Sequence, residues 1–223
     1  MKRVFTLVCF AVLASLVMPA YANFQTDGES KIGLKPLDVS LTDENGNNFK
    51  LSELSDLPLF IHPMFASCKA TCPIMTNSLA DSFFPIKGMG KDYRVLSLSF
   101  DPKETQEGLK KFRKTYGLPA EWLVARGGEK DVRALMDSLN FKYVQTAPND
   151  FAHSNTLILL NTNFVIHDYL YGAILSTDQI RTSLEKLESE PQKESFDFLK
   201  VLAIAFIGFS IILLLFTTGI FRR

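Results

Sequence analysis

Two cysteines with three residues between them, in Phe65-Ala66-Ser67-Cys68-Lys69-Ala70-Thr71-Cys72-Pro73-Ile74-Met75, are the part of this chain best equipped for chemistry. A spacing of four puts both sulfurs on one side of a helical turn, facing a common point. Pro73 suits the first turn of a helix, and Ile74, Met75, Leu79 and Phe83 continue an apolar stripe at helical spacing. The pair is therefore expected at a helix N-terminus, where free backbone N–H groups and the helix dipole favour thiolate over thiol. A thiolate either attacks a disulfide or binds a soft metal, and the pair alone leaves both readings open. A structural disulfide is a third reading, against which the shortness of the loop counts, because closing it gains little entropy.

A dithiolate holds a metal better with a third donor, and three histidines are candidates: His62, His153 and His167. His153 stands in Asp150-Phe151-Ala152-His153-Ser154-Asn155, read as a polar loop just ahead of a strongly apolar strand, so that it emerges at a strand edge where a ligand is useful. His62 continues an apolar strand and precedes Pro63, which favours a role in the core or at the strand end. His167 lies at the far end of a hairpin strand and reads as a solvated or packed side chain. Two thiolates and one imidazole form a soft, low-coordinate set suited to Cu(I) and able to hold Cu(II). Zinc accepts the same donors but normally takes a fourth. Met64 and Met75 are soft donors too, but read as core filler and are left out of the site.

The elements that must position these groups follow from periodicity. Val39–Thr42 and Phe49–Leu51 flank the turn signal Asn45-Gly46 and predict a β-hairpin. Pro58–His62 is a strand feeding the cysteine loop. Tyr93–Phe100 is a buried or half-buried strand, and Glu104–Tyr116 a helix stopped by Gly117. Trp122–Ala125 reads as a short strand, Glu129–Leu139 as a helix, and Phe141–Val144 as a short strand or extended segment. Thr156–Leu160 and Phe164–His167 flank Asn161-Thr162-Asn163 as a second hairpin, and Gln179–Leu187 is a closing amphipathic helix. Strand, helix and strand in succession imply parallel pairing, and the whole order predicts a thioredoxin-like α/β fold with an added N-terminal β-hairpin.

At both ends the composition changes. Lys2-Arg3, the apolar run Val4–Met18 and Pro19-Ala20-Tyr21-Ala22 predict a signal peptide over residues 1–22, which would remove Cys9 and leave Cys68 and Cys72. Residues 23–36 read as a loose mature N-terminus, 37–188 as the folded domain and 189–196 as a polar linker containing Pro191. Residues 197–220, apolar from Phe198 to Ile220 apart from Lys200 and three hydroxyl residues, are long enough for a C-terminal transmembrane helix, with Phe221-Arg222-Arg223 as a cytoplasmic tail. That orientation places the domain on the outer face of the inner (cytoplasmic) membrane, in a bacterium the periplasm. Lys plus Arg and Asp plus Glu both number 24, so no basic surface calls for nucleic acid. There is no Gly-rich phosphate loop, no supported Ser/His/Asp set and no paired-carboxylate motif.

Several of these residues together resemble the Sco/SenC family of copper proteins. They are Cys68-x-x-x-Cys72-Pro73, the strand end Leu96-Ser97-Leu98-Ser99-Phe100-Asp101-Pro102, Tyr116-Gly117, Trp122, and His153-Ser154 before an apolar strand. The likeness spans about Leu37 to Leu187. It implies copper bound by Cys68, Cys72 and His153, and a part in assembling the dinuclear copper centre of cytochrome c oxidase, by copper delivery, by reduction of that site's cysteines, or both. The partners so implied are the copper ion, a copper-enzyme client such as an oxidase subunit, and the membrane through the C-terminal helix. Three departures stand out. Asp101-Pro102 is followed by Lys103-Glu104-Thr105, where the family usually has a second Asp and a Thr one position later. Position 67 is Ser where many relatives have His, and the anchor is C-terminal rather than N-terminal.

A thiol-disulfide oxidoreductase is the competing class. Such thioredoxin-type enzymes use Cys-x-x-Cys and a cis proline facing it. Here three residues intervene and Asn155 precedes the strand, which weighs against general exchange but leaves reduction of one dedicated partner open.

Overall fold

A computed structural model describes residues 31–189. The expected signal peptide, the transmembrane segment and the cytoplasmic tail lie outside these residues. Among the described residues no helix is long and apolar enough to cross a membrane.

The strands are β1 (Ser40–Asp43), β2 (Asn48–Lys50), β3 (Leu59–Met64), β4 (Arg94–Ser99), β5 (Trp122–Gly127), β6 (Tyr143–Ala147), β7 (Asp150–His153), β8 (Thr156–Leu160) and β9 (Ile166–Tyr171). The helices are α1 (Thr71–Phe83), α2 (Gln106–Tyr116), α3 (Glu129–Ser138) and α4 (Thr177–Ser189). Seven strands form one mixed sheet in the order β2-β1-β5-β4-β3-β8-β9. Its centre, β3–β4–β5, is parallel, as the strand–helix–strand order requires. The predicted hairpins β1–β2 and β8–β9 extend it on either side. This mixed α/β sheet agrees with the thioredoxin-like expectation.

Local chemistry accounts for the boundaries. Gly46 takes a φ of 91° in the β1–β2 turn, which a side chain would resist. Thr105 caps α2 by accepting the Gly108 N–H at 3.0 Å, and Gly117 ends that helix in the left-handed conformation. Part of the stretch expected to be loose is tied down, since Gly33 N–H donates to the Ile166 carbonyl and Ile166 N–H to that of Leu34.

Alternation along the strands divides the core between the two faces of the sheet. Phe60, Met64, Val95, Trp122, Val124, Leu157 and Leu159 pack with Met75, Leu79 and Phe83 of α1, Leu109 and Phe112 of α2, and Ile180 of α4. Ile61, Leu96, Leu98, Ala125, Ile158 and Leu160 pack on the other face with Val132, Leu135 and Met136 of α3. Met64 and Met75 are thus core side chains, as expected.

Two local readings are corrected. His153 is not in a loop: Asp150–His153 is a strand that pairs antiparallel with β6 as a separate two-stranded sheet. The run was read as polar because its apolar members are few, yet Phe151 and His153 alternate and face the rings of the preceding strand. The cysteines do not share a helical turn either. Ala70 is the N-cap of α1, so Cys72 is in the first turn and Cys68 precedes the helix. The loop turns back at Cys68, whose N–H donates to the Phe65 carbonyl at 3.2 Å.

Candidate metal centre

β3 delivers the chain to the site. It ends at Met64, buried and parallel to β4, and Phe65 plugs the core immediately after it at 1% exposure. The next residues turn and enter α1, which sets Cys72 against the core, buried, and leaves Cys68 half-buried. From the other side the β6–β7 hairpin brings in His153. The nearest donor atoms of Cys68, Cys72 and His153 all lie within 4.8 Å of one another, although 81 residues separate Cys72 from His153. Both cysteines are free thiols.

The imidazole is oriented by its second nitrogen. A carbonyl only accepts, so the Ser154 carbonyl 2.8 Å from His153 Nδ1 fixes the proton on Nδ1. Nε2 then presents a lone pair, 3.3 Å from the Cys72 Sγ. A bond of this kind to the outer nitrogen is how ligating histidines are usually held.

Aromatic rings wall the imidazole. Phe100, Phe141 and Phe65 have centroids 5.3, 5.9 and 6.0 Å from that of His153. Tyr143, opposite His153 across the hairpin, packs on Phe100 at 4.6 Å, and Phe151 packs on Phe65 at 5.1 Å. Sequence reading missed this shell. Its signal was the same-face spacing of Phe141 with Tyr143 and of Phe151 with His153.

The two sulfurs differ electrically. The Cys68 thiol is held well below the ordinary thiol range, chiefly because Cys72 hydrogen-bonds to its thiolate. Burial opposes that shift, and the N–H groups of Ala70 and Cys72 reinforce it. Cys72 is pushed up by the same hydrogen bond, by burial and by the Cys68 charge. The pair therefore gives up one proton easily, from Cys68, and keeps the second until something replaces it.

The remaining histidines stay apart from this group. His62 is 1% exposed, with Nδ1 3.1 Å from Ser97 Oγ, which also accepts the Trp122 indole N–H at 3.0 Å. Burial, with a smaller contribution from His153, lowers its pKa to about 3, so it is a neutral core side chain as the sequence suggested. His167 is half-buried on β9 and, among the described residues, is not one of the clustered donors.

Two thiolates and an imidazole in a recess walled by aromatic rings match a soft ion of low coordination number. Among the described residues no carboxylate or further histidine joins the cluster as a fourth donor.

A family profile described as SCO1/SenC matches residues 36–189. No curated protein sequence matches significantly. Among solved structures, a protein of Aquifex aeolicus VF5 given a provisional electron-transfer role is 32% identical. Its alignment covers 74% of this chain and 99% of that one, with a TM-score of 0.68. Yeast Sco1 with copper bound is 18% identical over 72% of this chain and 92% of its own, with a TM-score of 0.60. BsSco, described as a member of the Sco family of cytochrome c oxidase assembly proteins and as containing a disulfide switch, is 20% identical over 70% of this chain and 95% of its own, with a TM-score of 0.61. At the latter two identities the likeness is one of fold.

Proposed function

Because the chain belongs to the SCO1/SenC family, we propose that it is a membrane-tethered copper assembly factor. In this reading it takes copper through Cys68, Cys72 and His153 and passes it to the copper centre of cytochrome c oxidase or a related copper enzyme. The observation that carries the reading is the convergence of these three donors within 4.8 Å from a loop, a helix start and a separate hairpin. The donor set supports copper as cargo: Cys68 supplies a thiolate at little cost, Cys72 supplies a second once its proton is displaced, and Nε2 of His153 offers a lone pair. Partial exposure of Cys68 gives a partner's ligands a route to the site, which release requires. The tether and the outer-face location rest on residues 1–22 and 197–220 of the sequence.

The low pKa of Cys68 also favours a second reading, a dithiol that reduces the cysteines of a copper-site client. The Cys68 thiolate attacks one sulfur of the client disulfide, and the other sulfur leaves as a thiolate that takes a proton. Cys72, deprotonated, then attacks Cys68 of the mixed disulfide. The client departs as a dithiol, two electrons richer, and the chain is left with a Cys68–Cys72 disulfide.

The test is copper binding by the reduced full chain. One Cu(I) per chain is expected, with sulfur and nitrogen neighbours in X-ray absorption. Cys68→Ala, Cys72→Ala and His153→Ala should each weaken binding by more than the roughly 10–100-fold that loss of an outer-shell partner costs. Unchanged affinity in His153→Ala would break the ligand assignment, and rapid turnover of a generic disulfide without copper would favour the reductase.

A further inference from the structure

Glu104 lies in the loop between β4 and α2 and is not one of the three donors, yet its carboxylate reaches the cysteine loop. Ala66 N–H donates to its Oε2 at 2.9 Å, Ser99 Oγ–H donates to the same oxygen at 3.1 Å, and Thr105 N–H donates to Oε1 at 3.1 Å. Ala66 is two residues before Cys68. The turn that presents the first sulfur is thus fixed at its start by buried Phe65 and on its flank by this carboxylate.

Room for the arrangement comes from position 108. A Cβ on Gly108 would fall 2.2 Å from Glu104 Oε1, so a side chain there and the carboxylate in this place exclude each other. The neighbouring residue serves the other half of the site. Lys103 Nζ donates to the Pro148 carbonyl at 3.4 Å, in the turn of the hairpin that carries His153.

We infer that Glu104 is a positioning residue of the metal centre, holding Cys68 in register with Cys72 and His153, and that Gly108 is the residue that lets it do so. The inference rests on the copper reading for its first readout and is independent of it for its second.

The test uses the reduced full chain, with Cu(I) partitioned against bathocuproine disulfonate. Glu104→Ala and Gly108→Ala are each expected to lower Cu(I) affinity about tenfold or more, the order carried by a hydrogen bond to a charged group. Gly108→Ala also raises helix propensity in the first turn of α2, which offsets part of the lost bond, so its thermal midpoint should fall less than that of Glu104→Ala while copper affinity falls as far. A residue that only stabilised the fold would not separate the two. The double variant should bind no more weakly than Glu104→Ala alone, because both changes remove the same contact.

The second readout needs no copper. The carboxylate bond is present with both cysteines reduced, and closing a Cys68–Cys72 disulfide pulls on the turn that it braces, so its loss should shift the Cys68/Cys72 equilibrium about tenfold toward disulfide, roughly 30 mV for two electrons. Affinity and potential both within about twofold of wild type in folded Glu104→Ala and Gly108→Ala, or losses that add in the double variant, would overturn the inference. If the wild-type chain takes up no Cu(I), the copper reading falls, and the potential alone decides the part of Glu104.

Discussion

The two halves of the metal centre are held by different forces. Cys68 and Cys72 follow β3, an interior strand of a seven-stranded sheet, bonded on both sides by β4 and β8. His153 comes from β7, whose only strand partner among the described residues is β6. A two-stranded hairpin is marginal by itself, so the position of the imidazole depends on ring packing rather than on a ladder. The strand behind the cysteines is placed by backbone ladders on both sides, with Glu104 bracing the loop that follows, whereas the hairpin of His153 has no ladder to the sheet among the described residues. Donors close in sequence use the rigid scaffold, and the distant donor is brought in by a small element attached mainly by ring packing, with the Lys103–Pro148 hydrogen bond beside it.

Phe100 is where this contrast breaks most readily. Its ring touches Phe65 on the cysteine side and Phe141, Tyr143, Phe151 and His153 on the other, and it is 1% exposed. Phe100→Ala should cost about 3–5 kcal/mol by transfer and cavity terms together. Urea denaturation of the metal-free chain measures it. If the hairpin were held by its ladder instead, copper affinity in the surviving folded fraction would stay at the wild-type value.

The same asymmetry explains what was legible in the sequence. The cysteine half could be read because its signals are local: Cys68-x-x-x-Cys72-Pro73 followed by a helical stripe, and an apolar strand before it. Both flanking hairpins were equally local, marked by Asn45-Gly46 and by the Asn161 turn, whose side chain accepts the N–H groups of Asn163 and Val165. Of the hairpin of His153 only the start of β6 was legible, as the extended segment Phe141–Val144; its residues after Tyr143 are exposed, and β7 has no apolar run to announce a strand. His153 was found as a candidate residue without its element. The role of Glu104 was open in the sequence for a similar reason: a carboxylate that bonds a backbone N–H 38 residues away leaves no periodic trace.

The contrast can also be drawn between two histidines. His62 is held in the sheet by Ser97, whose hydroxyl oxygen also accepts the Trp122 indole N–H, whereas His153 is turned toward sulfur by the Ser154 carbonyl. Burial lowers the pKa of His62 from 6.5 to about 3, which gives a definite sign. Below about pH 6.5 the unfolded chain binds a proton at this position and the native chain does not, so stability falls as pH drops toward about 3. His62→Gln removes the titrating group. Its urea midpoint should therefore fall less steeply between about pH 6 and pH 4 than that of wild type. An unchanged slope would mean that His62 is already protonated in the native state or never buried.

The smallest expected effect on stability is the sharpest probe of the hairpin. Phe151 is only partly buried, next but one to His153, and its ring packs on Phe65 and Phe100. Phe151→Leu keeps an apolar side chain of similar size, so global stability should change by less than about 1.5 kcal/mol. The ring contacts fastening β7 to the body are nonetheless lost. Local opening of the hairpin should therefore become easier than global unfolding, and amide exchange should rise in β6 and β7 while β3 and β8 keep wild-type protection. Copper affinity should drop with it, because part of the binding free energy must then reorder the imidazole. Exchange that rises equally in β3 and β7 would instead make the hairpin and the sheet one cooperative unit, with both halves of the site held alike.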